Sequence, residues 1–311
     1  MGKKILITPK SFFQAGEEVV GLLKSRGFEI VANTTGKTLS EEQMIEMCGD
    51  AEGLIVGVDP VTGSVLRGAK KLKAISKYGA GLDNIDLKTA KELGIAVDKA
   101  AGANAESVAE LAVGMFFLLA RNISAAVKSV KSGGWERIRG AELRGKTAGI
   151  IGLGHIGREV ARMAVGLGMK ITAYDPYINA EDGFIKKYSI KFAGRDEVIK
   201  EADFLTLHVP CVEETKHMIN GNTLSMMKEG AYLVNVSRGE LTDEAALYEA
   251  LKSGRLAGAA QDVFSKEPPG KHPLLELDNF ILTPHIGAYT REANVNMAVR
   301  STENLIRMLD N

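Results

Sequence analysis

The chain has 311 residues, 45% of them hydrophobic and 25% charged, a length that allows two globular cores of ordinary size. Its 39 basic and 39 acidic residues cancel, so composition gives no electrostatic basis for nucleic acid or an anionic membrane as a partner. The two cysteines, Cys48 and Cys211, exclude a disulfide framework and lack metal-site spacing, and a reducing cytoplasm is the expected setting.

The start, Met1 to Lys4 followed by Ile5-Leu6-Ile7, lacks the apolar core and cleavage site of a secretory signal and reads as a first strand. From there strand patterns at 4–8, 28–33, 52–57, 73–77 and 95–98 alternate with helix patterns at 14–25, 40–48, 62–68 and 86–93. Such alternation predicts a parallel, doubly wound sheet. Asp83 and Asp86 read as turn and helix-cap residues. Asn104 is placed to cap a helix running to Ala120, expected to bridge two domains. Its apolar run, Leu111 to Ala120, is about half a membrane span and is headed by Glu110, so no transmembrane helix is expected. A polar segment around Lys131 to Arg144 follows, with Trp135 expected at a domain or subunit boundary.

Next come a strand pattern (Thr147 to Ile151), Gly152-Leu153-Gly154-His155-Ile156-Gly157, a helix pattern (Arg158 to Leu167), a strand at 170–174 and Asp175. Strand, glycines, helix, strand and terminal acid at this spacing make the βαβ unit that grips dinucleotides. Gly152 permits the tight turn, Gly154 lets backbone approach a pyrophosphate, and Gly157 lets helix and sheet pack closely. The phosphates would face the free N–H groups of a helix start. His155 lies on that loop, where it either meets the pyrophosphate or faces solvent. Asp175 would bind the ribose diol, and with Pro176 and Tyr177 rather than arginine after it, NAD is expected over NADP. About 150 residues precede this motif, so a separate domain folds first.

Further strands are predicted at 203–208, 231–236, 257–261 and 280–283, with helices at 195–200, 222–227 and 243–252. Arg238 in Val234-Asn235-Val236-Ser237-Arg238-Gly239, Glu267 in Asp262 to Pro268, and His285 in Thr283-Pro284-His285-Ile286-Gly287 each follow a strand. They should therefore converge at the carboxyl edge of the sheet, where open α/β sheets bind ligands. His208, His217 and His272 read as structural or exposed. The last stretch, Thr290 to Leu309, reads as an amphipathic helix burying Val295, Ala298, Val299, Leu305 and Met308, and it is expected to return to the first domain.

Together with Lys77-Tyr78-Gly79-Ala80-Gly81-Leu82-Asp83-Asn84, these motifs resemble the D-isomer-specific 2-hydroxyacid dehydrogenases, most of all the phosphoglycerate dehydrogenase-like branch, over nearly the whole chain. The resemblance implies an α/β fold of two doubly wound parallel-sheet domains, a Rossmann NAD domain (101–286) inserted into a flavodoxin-like substrate domain (1–100, completed by a C-terminal helix at 287–311). It also implies hydride transfer between NAD and a small 2-hydroxy or 2-oxo acid, with no metal, and a homodimer built through the nucleotide domains. The catalytic set would be Arg238, Glu267 and His285: His285 the acid/base group, Glu267 its orienting partner, Arg238 the ligand of the substrate carboxylate. Backbone amides of Tyr78, Gly79, Ala80 and Gly81 would also hold that carboxylate. Cofactor contacts would come from Gly152, Gly154, His155, Ile156, Gly157, Asp175, Val209, Val236, Ser237, Arg238 and Asp262.

Substrate identity rests on weaker signals. The family's phosphoglycerate enzymes tend to carry arginine after the strand matching Gly53 to Val56, where this chain has Gly57-Val58-Asp59-Pro60. Asp59 would repel phosphate, with Lys77 and Arg137 the opposing charges. Glyoxylate or hydroxypyruvate reduction is the alternative, and a non-enzymatic NAD-sensing binding protein is the rival class.

Overall fold

The computed structural model describes residues 2–310. In chain order the elements are β1 (Lys4–Ile7), α1 (Lys10–Phe13), α2 (Glu17–Ser25), β2 (Glu29–Ala32), α3 (Glu41–Cys48), β3 (Gly53–Val56), α4 (Gly63–Gly68), β4 (Ala74–Lys77), α5 (Leu87–Glu92), β5 (Ala96–Lys99), α6 (Ala105–Ala120), α7 (Ile123–Lys131), β6 (Thr147–Ile151), α8 (His155–Gly166), β7 (Lys170–Tyr174), α9 (Gly183–Lys187), β8 (Lys191–Phe192), α10 (Arg195–Glu201), β9 (Phe204–Leu207), α11 (Gly221–Met226), β10 (Ala231–Asn235), α12 (Glu244–Lys252), β11 (Leu256–Gln261), β12 (Phe280–Leu282) and α13 (Arg291–Asp310). They fold as two compact units, one within 1–104 and 288–311, the other spanning Ala105–Gly287.

The first unit holds a parallel sheet of order β2-β1-β3-β4-β5, the flavodoxin-like arrangement. Its central strands are covered on both faces and so read as unbroken apolar runs: Ile5, Leu6, Ile7, Leu54, Ile55 and Val56 are all fully buried. The terminal helix α13 closes one face. Leucine methyls of Leu305 and Leu309 lie 3.1–3.2 Å from where a side chain on Gly53 would begin, so the bare backbone of Gly53 lets these leucines pack closely on β3. The buried stripe of α13 runs through Ala293, Met297, Ala298, Ser301, Leu305 and Leu309. Val295 and Val299, expected inside, are 41% and 39% exposed. Each sits two residues past Ala293 or Met297, about 200° around the helix.

Two other expectations are corrected, and one helix is added. The helix expected over 14–25 is broken, because Gly16 takes φ +107, which ends α1 and forces a new start at α2. Asn104 does not cap α6, since its Oδ1 has no hydrogen-bond partner, whereas Asp86 does cap α5 by accepting from Thr89 N at 2.9 Å. The chain between α6 and the polar segment is helical, as α7.

The second unit carries a seven-stranded parallel sheet, order β12-β11-β10-β9-β6-β7-β8. Renumbered from β6, this is the 3-2-1-4-5-6 doubly wound order with one more strand, and the order reverses between β6 and β9. Helix α6 packs on this sheet through Phe116, whose ring lies 5.2 Å from that of Phe204, itself stacked on Tyr232 at 4.6 Å. Because every strand is parallel, all their carboxyl ends line one edge. Among the described residues no single helix is long and apolar enough to cross a membrane.

Truncating a fully buried α13 side chain should open a cavity against β3. Leu305→Ala is expected to destabilise the first unit by about 3 kcal/mol, read as a lower urea midpoint. An unchanged midpoint would show that α13 contributes little to that core.

Candidate active site

At the end of β6 the glycine turn is built by close approach. A side chain on Gly157 would begin 2.0 Å from Gly152 O, and one on Gly152, at φ +96, would meet His208 O at 2.5 Å. Gly154 is different: nothing lies within 4 Å of its missing Cβ, which leaves an open mouth at the start of α8. The first helical bond runs from Arg158 N to Gly154 O at 3.0 Å, so the amides from Gly154 to Gly157 precede the intrahelical ladder and are available to an anion. Asp175, at the end of β7, accepts from Leu153 N at 2.8 Å and from Tyr177 N at 2.9 Å. A carboxylate has about four acceptor positions, so two remain for a ribose diol. His155 is exposed and Ile156 partly buried. Val209, after β9, reaches within 2.8 Å of the Gly152 Cβ position, while Val236 is buried after β10. The turn and its surroundings fit a dinucleotide.

Three loops from neighbouring strands β10, β11 and β12 carry the remaining groups. After β10, the buried amide of Asn235 shapes the turn: its Nδ2 donates to Arg238 O at 2.8 Å and its Oδ1 accepts from Ser237 N at 3.0 Å. Ser237 Oγ ties the turn to β9 through Leu207 O at 2.9 Å, and Arg238 Nη1 donates to Ser237 O at 2.6 Å. Gly239 then passes directly against the Phe264–Ser265 backbone, 1.9 Å from any Cβ it might carry, which holds the Arg238 turn beside the loop after β11.

In that loop Glu267 Oε1 accepts from Phe264 N at 3.0 Å and Oε2 lies 2.8 Å from His285 Nδ1. Burial works to raise the Glu267 carboxyl, but the hydrogen bonds from His285 and Phe264, with the charges of His285 and Arg238, bring it below the usual range. The same bond raises His285 above the usual imidazole value, with burial and the Arg238 charge opposing. Side chains of the pair are 47% and 40% exposed, so the imidazole is reachable and its charge is screened by water.

Asp262 is 2% exposed and faces inward. It accepts from Thr283 Oγ1 (2.5 Å), Ile286 N (2.8 Å) and Gly287 N (2.7 Å), and its own carbonyl accepts from His285 N (2.9 Å). These bonds hold His285 at φ +53, a left-handed conformation uncommon for a residue with a Cβ. Asn235 and Thr283 were not singled out from sequence; a polar residue closing each apolar strand was the available signal. His208, 3.0 Å from Thr206 Oγ1 through Nε2, is pushed down to about 3 by burial and stays neutral. His272 caps the 273–276 turn by accepting from Leu274 N.

Tyr78, Gly79, Ala80 and Gly81 belong to the first unit, where they leave the carboxyl end of β4. Gly79 takes φ +135, and the buried Tyr78 hydroxyl donates to Asn294 O at 3.0 Å. Two expectations on charge are corrected there. Asp59 is 3% exposed and accepts from Thr8 Oγ1 (2.5 Å) and Leu39 N (2.8 Å), so its carboxylate is an internal anchor of the loop after β3 rather than a group turned toward a ligand. Lys77 is 7% exposed and donates to Gly57 O and to Asn84 Oδ1, the latter at 2.5 Å, joining the loops after β3 and β4. Trp135 is 79% exposed.

Residues 113–287 match the family model for the D-isomer specific 2-hydroxyacid dehydrogenase, NAD binding domain. The chain is 46% identical over 294 residues to a D-3-phosphoglycerate dehydrogenase of Methanocaldococcus jannaschii, covering 93% of this chain and 54% of that one. To a hydroxypyruvate reductase of Thermotoga maritima it is 42% identical over 281 residues, covering 88% and 90%. The chain thus spans about half the length of the Methanocaldococcus enzyme, and of a D-3-phosphoglycerate dehydrogenase of Archaeoglobus fulgidus that it also matches. An NAD+-bound 3-phosphoglycerate dehydrogenase of Entamoeba histolytica superposes with a TM-score of 0.85 at 29% identity, over 100% of this chain and 96% of that one. With the glycine turn, the strand order and the Arg238, Glu267 and His285 loops already in place, this chain belongs to the D-isomer specific 2-hydroxyacid dehydrogenases, a family of NAD-dependent oxidoreductases.

Proposed function

We propose that the protein is an NAD-dependent D-2-hydroxyacid dehydrogenase of the phosphoglycerate dehydrogenase-like branch, working as a 2-oxo acid reductase. The observation that carries the reading is the 2.8 Å contact between Glu267 and His285 on the same sheet edge as the dinucleotide turn. NAD, when bound, supplies the hydride donor or acceptor. The chain's residues do the rest. With Nδ1 held by Glu267, His285 presents Nε2 to the substrate's C2 oxygen and delivers or takes its proton there. Arg238 holds the substrate carboxylate with its planar fork and polarises the C2 oxygen. Amides of Tyr78, Gly79, Ala80 and Gly81 add to the carboxylate site, and the 1–104 and 288–311 unit is the substrate domain. Gly152, Gly154, His155, Ile156, Gly157, Asp175, Val209, Val236, Ser237 and Asp262 line the cofactor site.

One observation favours an unphosphorylated substrate such as hydroxypyruvate or glyoxylate. The cation that ends β4, Lys77, is buried and engaged with Gly57 O and Asn84, and the loop after β3 offers the exposed, apolar Val58. A phosphate dianion would have to pull that ammonium from its acceptors. The Thermotoga relative, covered over 90% of its length, is named for hydroxypyruvate.

A homodimer is also proposed. Phe117, Ile123, Val127, Val130, Trp135 and Ile138 are exposed along α6, α7 and the segment after them, too apolar a run to face water by choice. Net charge of zero gives no reason to invoke nucleic acid, and two cysteines, too few for a disulfide framework, suit the cytoplasm.

NADH oxidation across paired substrates should be faster with hydroxypyruvate and glyoxylate than with phosphohydroxypyruvate; silence on all 2-oxo acids would leave the NAD-sensing binding protein standing. His285→Ala should lose about 10²–10⁴-fold in turnover while NADH still binds. Loss of NADH binding instead would move His285 to the cofactor. Reduction requires protonated His285, so activity falls as pH rises through its raised pKa; Glu267→Gln removes the cause and should move that limb to lower pH. An unmoved limb would mean that another group titrates. Val127→Glu should shift gel filtration from dimer to monomer, and an unchanged elution volume would discard this interface.

A further inference from the structure

We propose that Arg158, which follows the glycine fingerprint and has no part in it, is a positioning residue for the cofactor turn. It fixes the orientation of the Leu153–Gly154 peptide and so aims Gly154 N–H at the diphosphate. The proposal rests on the NAD reading above.

Arg158 uses its whole fork at once. Nε donates to Leu153 O at 3.1 Å, while Nη1 and Nη2 donate to the two carboxylate oxygens of Asp182 at 3.3 and 2.8 Å. The guanidinium carbon stands 5.0 Å over the Phe184 ring. Asp182 is itself fixed, since Oδ1 also accepts from Phe184 N at 2.8 Å at the start of α9. Its carboxyl lies below the usual range, chiefly through the Arg158 bond. Side chains of the pair are 31% and 27% exposed, so water screens them only in part.

A trans peptide is planar, with C=O and N–H pointing in opposite directions. Leu153 O is turned onto the Arg158 side chain, so Gly154 N–H must point the other way, away from the guanidinium, at a residue whose Cβ position has nothing within 4 Å. The preceding peptide is fixed too, because Leu153 N donates to Asp175 Oδ2 at 2.8 Å and the Leu153 side chain is fully buried. Thus a carboxylate and a guanidinium set the two peptides flanking Leu153. Without Arg158 the second peptide is free to rotate, and a carbonyl facing the anion would oppose binding. Lysine, a point charge without the planar fork, cannot serve Leu153 O and Asp182 in the same geometry.

The test is equilibrium binding, read by NADH fluorescence and by displacement with ADP-ribose and with adenosine, which lacks the diphosphate. Arg158→Met should weaken NADH and ADP-ribose about tenfold while adenosine changes less than about twofold; Arg158→Lys should fall between Met and the parent. Asp182→Asn, which keeps the guanidinium but loosens its brace, should weaken NADH in the same direction. It decides the matter by the same criterion if Arg158→Met fails to fold in a thermal melt. Unchanged NADH affinity, or equal loss for adenosine and ADP-ribose, would overturn the positioning role. Failure of the parent protein to bind NADH at all would overturn the cofactor reading, and this proposal with it.

Discussion

The site depends first on one carboxylate. Asp262 stands at the end of β11 with almost no contact with water, and a carboxyl in that position is tolerable only if its oxygens are satisfied. Three donors from the 283–287 turn do so, and the same bonds impose the left-handed backbone of His285. The imidazole is therefore aimed by a buried carboxyl one strand earlier in chain order and adjacent in the sheet. Removing that carboxyl would leave a strained turn with nothing to enforce it.

Charge around the imidazole is balanced rather than simply attractive. Glu267 favours the imidazolium, Arg238 opposes it, and partial exposure lets water moderate both. An acid/base group needs a proton that it can both hold and release near neutral pH, which a histidine locked to a carboxylate alone would do less well. The arginine thus has an electrostatic effect on the imidazole as well as a proposed carboxylate to hold. Gly239 is what brings the two together, since any side chain there would force the β10 and β11 loops apart.

Much of this was legible in the sequence because parallel sheets translate order into position. A residue just past an apolar strand must lie on the carboxyl edge, so the glycine turn, Asp175, Arg238, Glu267 and His285 could be brought to one edge from strand patterns alone, although their roles came from family resemblance. What could not be read was direction within a loop. Asp59 looks like a charge offered to a ligand, yet it bonds inward to Thr8 and Leu39; Lys77 looks like a free cation, yet it crosses to Gly57 and Asn84. Helix faces failed for a related reason, as Val295 and Val299 share an apolar spacing with the true buried stripe but sit on the opposite side of α13. Pattern gives period, and packing chooses phase.

Chain connectivity adds one consequence. The second unit ends at Gly287, two residues after the imidazole, and the chain returns to the first unit at Ala288. A covalent joint so close to His285 would ordinarily pass any displacement of the following chain on to the imidazole. Asp262 grips Ile286 and Gly287 by their amides, and thereby clamps the last two residues before the joint to the sheet. Displacement arriving along the chain from 288 meets two clamped amides before it reaches the imidazole, so the carboxyl that sets the His285 backbone also shields it from the chain that follows.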